Sequence, residues 1–377
     1  MQNGTIVVGG SLAQRPGHGG HAWVFLNYLL GLQRLGWDVF FVDRLEPEMC
    51  ADMTTNVAWL RDVMAAFDLA ERWALLYDGG REVVNSTRVL VEQTVDNATL
   101  FLNVMGYIDD ERVMAGAERR VFLDIDPGFG QMWQATGLQE MFVGHDDYVT
   151  IGENIGAPGC TIPTCGVDWI TTKQPVVLGQ WPVTPISSTT FTSVVSWRGP
   201  FAPVEFEGET YGLRVHEFRR FLELPAKTGE PFELALDIHP DEADDLVRLS
   251  ESAWNLVDPR VVAGDPHTYR DYVQRSGAEL MIAKNLYVRS RSGWFSDRSA
   301  CYLAAGRAVV AQNTGLDDWL PSGDGLLLFD SLDEAIDAVK AVAADPRRHS
   351  RAAREIAEAH FGSDVVLTRL LDRLSVS

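Results

Sequence analysis

A chain of 377 residues, 46% hydrophobic and 23% charged, is long enough for about two α/β domains and carries no compositional mark of extended disorder. Its 53 acidic against 32 basic residues leave a formal charge of -21. The average field repels a polyanion and predicts no nucleic-acid partner, although a local cluster of Arg and Lys still holds a compact diphosphate at short range.

The four cysteines, Cys50, Cys160, Cys165 and Cys301, form no CxxC pair and no zinc-finger spacing, so neither a structural metal nor a disulfide framework is expected. No apolar run reaches membrane-spanning length, and the opening residues lack a signal-peptide pattern, which predicts a cytoplasmic location.

In chain order, residues 5–8, 9–20, 21–35 and 37–42 read as strand, glycine-rich loop, helix and strand, with Gly36 ending the helix. Strand-like runs follow at 88–92, 99–104, 120–123 and 148–151, with a helix at 56–67 among them. Pro175, Pro182, Pro185 and a Ser-Ser-Thr-Thr run then break both periodicities, which places a domain boundary near residue 180. A second alternation gives strands at 192–197, 232–237, 256–257, 278–283 and 307–311, and helices at 215–222, 240–252, 268–275 and 296–305. Several of these strands are continuously apolar, as expected where helices cover both faces of a parallel sheet. Helical patterns at 332–344, 349–360 and 363–374 complete the chain.

The segment GWFSDRSACYLAAGR, residues 293–307, feeds a loop into a helix and ends in a glycine ahead of an apolar strand. A helix entered this way presents free backbone N–H groups and a positive dipole end, which suits a diphosphate. Ser296 is the expected N-cap, Asp297, Arg298 and Ser299 form the first turn, and Trp294 and Phe295 lie in the loop before it. Lys284, ending the preceding strand, offers a point charge to phosphates and Arg298 a bidentate one.

This order of elements resembles the donor half of GT-B glycosyltransferases, and the C-terminal half is similar to family-one and family-four-type (CgeB-like) donor domains. The resemblance implies an α/β fold of two Rossmann-like domains facing across a cleft. Residues 1–180 would form the acceptor side and residues 181–360 the nucleotide-sugar side, with 361–377 as a helix returning to the first domain. Two glutamates that such enzymes use fall, counted back from Gly306, on Gly293 and Cys301. Asp297, one turn before Cys301, is the candidate replacement.

In the first half, the resemblance implies that Gly19 and Gly20 leave room for donor phosphates, that His21 is a candidate catalytic base, and that His18 lies on the acceptor side. Asp124-Ile-Asp126 has the form of a DxD metal motif, but the two-domain layout argues for a cleft role without metal. Asp126 is then a catalytic candidate, with Asp124, Gln131 and Glu153 as acceptor-side groups, while Arg198 is expected on the donor. The implied function is metal-independent transfer from a nucleoside diphosphate sugar to a small-molecule acceptor, with no further cofactor. Competing expectations are a sugar-nucleotide epimerase of the same architecture and a non-catalytic sugar-nucleotide-binding protein.

Overall fold

The computed structural model describes residues 3–376 and holds two large sheets, one in each half of the chain. The first contains β1 (Thr5–Gly10), β2 (Asp38–Leu45), β3 (Trp73–Tyr77), β4 (Glu82–Val84), β5 (Leu100–Val104), β6 (Arg120–Asp124), β7 (Asp147–Thr150) and β8 (Trp169–Thr171). Their order is β4-β3-β2-β1-β5-β6-β7-β8, and every neighbouring pair is parallel except β3 with β4. The second half begins with β9 (Phe191–Ser196) and a hairpin of β10 (Val204–Phe206) and β11 (Glu209–Tyr211). It continues with β12 (Phe232–Asp237), β13 (Asn255–Val257), β14 (Ala278–Met281), β15 (Ala308–Gln312) and β16 (Leu326–Phe329). The second sheet has the order β13-β12-β9-β14-β15-β16 and is parallel throughout.

The strand order reverses between β1 and β5 in the first sheet and between β9 and β14 in the second. Crevices outside the carboxyl ends of the strands at such switch points are where open α/β sheets bind ligands.

The helix Gly19–Arg34 buries residues around most of its circumference, from Ala22 through Leu29. It packs on its own sheet, on the second-half helix Pro266–Arg275 and on the terminal helix Ser363–Arg373. Gly31 permits the last approach: a Cβ there would stand 2.6 Å from Leu367 Cδ1. Arg34 and Asp364 add an exposed ion pair at 3.0 Å. The connecting segment is stitched to the same region, since Val176 donates to the Phe361 carbonyl at 2.7 Å and accepts from the Ser363 N–H at 2.8 Å.

Residues 88–92, expected as a strand, open a helix over Arg88–Asp96. Thr87 caps it by accepting the Leu90 N–H, and only Val91 and Val95, four residues apart, are buried. The run Trp73–Tyr77, not singled out in the sequence, is a strand beside β2. The hairpin β10–β11 was also unexpected; its turn residues Glu207 and Gly208 both have positive φ, 51° and 80°.

Candidate active site in the cleft

β9 and β14 pair over two couples only, Phe191 with Ala278 and Thr192 with Glu279. Beyond them the ladder stops, leaving strand carbonyls that need other donors. Two arginines supply them. Arg298 is 7% exposed and donates from Nη1 to the Val194 carbonyl at 2.9 Å and from Nε to the buried Glu279. Arg214 lies nearer the carboxyl edge and donates to the carbonyls of Ser196 and Ile282, both at 3.0 Å. Ser196 ends β9 and Ile282 follows β14, so Arg214 straddles the switch point. Burial lowers its pKa to about 10, and neighbouring Arg298 pushes the same way. Among the described residues no carboxylate forms a salt bridge with Arg214.

Lys284 follows the same strand. Its ammonium donates to both oxygens of Asp126, at 2.8 and 2.6 Å, from across the cleft. The Tyr287 hydroxyl donates to the same carboxylate, and the ammonium stands 5.0 Å from the Phe129 ring centre. Burial lowers the Lys284 pKa, while the Asp126 charge pulls it back up. The turn is fixed from beneath. Asn285 donates to Glu217 at 2.7 Å, Gln312 donates to the other Glu217 oxygen at 2.5 Å, and Gln312 accepts the Ala283 N–H at 3.1 Å.

The helix that follows, Asp297–Ala304, begins after Ser296 in extended conformation, yet the Ser296 hydroxyl makes no capping hydrogen bond. It lies 3.5 Å from Asp297 instead. Asp297 is half-buried, and burial raises its pKa. Ser299 is buried, and its hydroxyl has no hydrogen-bond partner. Trp294 stacks on Tyr287 at 4.3 Å between ring centres and Phe295 on Phe361 at 5.1 Å, so both rings serve packing. Gly293, with φ +70°, lies against Asn154; a Cβ would stand 2.8 Å from the Asn154 nitrogen. Cys301 is buried.

In the first half the loop after β1 is held from behind. Ala13 donates to Asp43 at 2.7 Å, Asn56 donates to the Ala13 carbonyl at 2.7 Å, and Trp59 donates to the Leu12 carbonyl at 3.2 Å. His21 Nε2 meets the Ser11 carbonyl at 3.2 Å, and burial lowers its pKa to about 4. His18 Nδ1 meets the Pro16 carbonyl at 3.0 Å. Gly19 donates to the Ala263 carbonyl at 3.0 Å, and a Cβ there would overlap the Asp265 carbonyl. Gly20 lies under the Tyr269 ring. These two glycines therefore admit the backbone and ring of the second half, which uses the space expected for donor phosphates.

Asp124 and Gln131, expected on the acceptor side, are both buried. Gln131 and Thr150 donate to Asp124 at 2.6 and 2.8 Å, and Gln131 accepts the Gly128 N–H at 2.7 Å. Burial raises Asp124 to about 6. The pair shapes the turn that presents Asp126. Glu153 is held by Lys173 at 2.9 Å. Arg198, expected on the donor, is exposed and pairs with Glu242, with Nη2 at 3.0 Å. With Asp124 and Asp126 each engaged elsewhere, the DxD does not assemble as a ligand pair. Among the described residues no cluster of three or more His, Cys, Asp or Glu side chains could hold a metal ion. Four arginines line a separate hollow of about 690 Å³ at the ends of β2 and β3, of which Arg44 pairs with Asp109, Arg88 with Asp110 and Arg81 with Asp78.

The sequence singled out Lys284 and Asp126, which the structure brings together, but not Arg214, Tyr287 or Glu217. No local spacing marks those three; the second sheet's splayed strands and the hairpin insertion place them.

Two Rossmann-like sheets thus face each other with cations on one lip and a carboxylate on the other. The chain has the GT-B fold. A family model described as Glycosyl transferase-like matches residues 232–372. No curated protein sequence matches the chain. Among solved structures, an α-glucosyltransferase in complex with UDP-glucose and DNA containing an abasic site superposes with a TM-score of 0.63 at 9% identity, covering 99% of each chain. AviGT4, a glycosyltransferase involved in avilamycin A biosynthesis, gives 0.59 at 14% identity over 98% of this chain and 96% of that one. Anabaena Alr3699/HepE in complex with UDP gives 0.57 at 12% identity over the whole of both chains.

The first of these corrects the expectation of no nucleic-acid partner. A GT-B protein that superposes along nearly the full length was solved with DNA bound, so this fold accommodates nucleic acid. Net charge describes the distant field, whereas a strand is held by local contacts within a Debye length.

Proposed function

We propose that the protein transfers a glycosyl group from a nucleoside diphosphate sugar to an acceptor hydroxyl in the cleft between the two sheets. The observation that carries this reading is the pairing of two cations, Arg214 and Lys284, at the carboxyl ends of β9 and β14 within a GT-B fold. In this reading residues 181–360 hold the donor and residues 1–180 face the acceptor. The two cations and the N–H groups of the turn at 297–299 stabilise the departing diphosphate, so no metal is required. Asp126 is the candidate base. A hydroxyl carried on nucleic acid belongs among the acceptors, on the strength of the α-glucosyltransferase complex with DNA.

The test is turnover of a panel of nucleoside diphosphate sugars, UDP-glucose included, with and without EDTA, against oligonucleotide and small hydroxyl acceptors. Donor-dependent glycosylation that survives EDTA supports the reading. If no donor in the panel binds or turns over, the reading is wrong. A second reading, binding without transfer, rests on Gly293 and Cys301 standing where related enzymes carry acids; tight donor binding with no turnover would favour it.

A further inference from the structure

We propose that Asp126 takes the place of a donor phosphate on Lys284, and that an arriving donor displaces it and frees it to act as the base. The proposal rests on the glycosyl-transfer reading and adds an order of events to it.

The Asp126 carboxylate is bound as a phosphate would be. It takes two hydrogen bonds from one ammonium, at 2.8 and 2.6 Å, and a third from the Tyr287 hydroxyl. The Lys284 and Asp126 side chains are 13% and 24% exposed, so solvent does little to screen a second anion brought to the same ammonium. Arg214, which forms no salt bridge among the described residues, stands beside this pair at the switch point and gives an incoming diphosphate its first attachment. From there the phosphate and Asp126 compete for Lys284 and Tyr287. The diphosphate brings two negative charges against the one on Asp126 and engages Arg214 and Lys284 together, and Asp126 leaves.

Until that exchange Asp126 is held back from serving as the base, because three of its roughly four lone-pair sites are taken by Lys284 and Tyr287. His21, the other candidate, is turned to the Ser11 carbonyl. Once released, Asp126 takes the proton of the acceptor hydroxyl. The acceptor oxygen bonds to the anomeric carbon, the bond from that carbon to the phosphate oxygen breaks, and its electron pair leaves with the diphosphate, which Lys284 and Arg214 neutralise. The base is thus switched on only when a donor is present.

The measurement is calorimetric titration of the parent, Asp126→Asn, Asp126→Ala and Asp126→Glu with UDP and a panel of other nucleoside diphosphates, alongside donor turnover. Removing the competing carboxylate should tighten binding about tenfold or more, on the scale of one charge-assisted hydrogen bond, while turnover falls by about 100-fold or more. Asp126→Glu keeps the competing charge and should bind no tighter than the parent. It also shows whether the turn tolerates substitution. Equal or weaker binding by folded Asp126→Asn and Asp126→Ala overturns the proposal. A parent that binds no nucleoside diphosphate sinks the glycosyl-transfer reading itself, whereas a parent that binds, with variants no tighter, sinks only the exchange.

Discussion

Arg298 donates from Nε to Glu279 in the interior of the second sheet, and the pair sits in the gap where β9 and β14 part. A guanidinium spent on a buried carboxylate is a structural element, whatever the helix turn above it does. Arg298→Ala should therefore destabilise the fold by about 3–5 kcal/mol, because Glu279 is left buried and unpaired. Urea unfolding measures it; a loss below about 1 kcal/mol would show that the pair is dispensable.

Arg214 should behave differently. Its two backbone carbonyl partners lie at the cleft edge, and its charge is uncommitted. Arg214→Ala is expected to weaken donor binding by about 1.5–3 kcal/mol, the range for hydrogen bonds to charged groups. Donor titration of the folded variant decides it, and unchanged affinity would remove Arg214 from the donor site.

Ser296 occupies an N-cap position without making the capping bond. Ser296→Ala should then cost less than the roughly 1 kcal/mol of an ordinary N-cap. Thermal melting checks this, and a full cap-sized loss would mean that the hydroxyl turns to the helix in solution.

Gly19 touches the second half without a side chain in between. Gly19→Ala would force the Asp265 carbonyl away, so the halves should part on that side. A larger radius of gyration by X-ray scattering, with a lower melting temperature, is the expected outcome. An unchanged profile would show that the contact yields locally.

The pH dependence of stability should carry a mark of His21. Its pKa falls from 6.5 to about 4 on folding, so stability is complete above 6.5 and declines as pH drops from 6.5 toward 4, when only the unfolded chain gains the proton. Asp124, raised from 3.8 to about 6, acts in the opposite sense and gains stability as pH falls through the same region. His21→Asn removes the first effect and keeps the second. Relative to the parent, its melting temperature should improve between pH 7 and pH 4.5, and an equal difference at both values would count against the assignment.

Much of the architecture was legible because parallel strands covered on both faces are continuously apolar, as at Ala308-Val309-Val310-Ala311, which opens β15. The stretch at 88–92 misled because Val89-Leu90-Val91 is a short contiguous apolar run rich in β-branched residues, while Thr87 made a helix start that this run hid. In the site, Lys284 could be read as a charge at the end of an apolar run. Arg298 was placed on the right helix but facing the wrong way, since a capping pattern fixes where a helix begins and says nothing about a gap between strands more than eighty residues apart in the chain. Arg214 had no local signature at all. It follows a hairpin whose length decides where it lands.

Across the cleft, Asn154 donates its N–H to the Ser292 carbonyl at 3.1 Å and its side chain to the Gly315 carbonyl at 2.9 Å, and Thr161 donates its N–H to the Ser290 carbonyl at 3.1 Å. These fasten one half to the other, and in the glycosyl-transfer reading they must give way for a nucleotide to leave. Each opening breaks several hydrogen bonds together and exposes their partners to water before anything replaces them. Escape of the spent nucleotide, and not the bond-making step, is then the natural candidate for the slow event of each cycle.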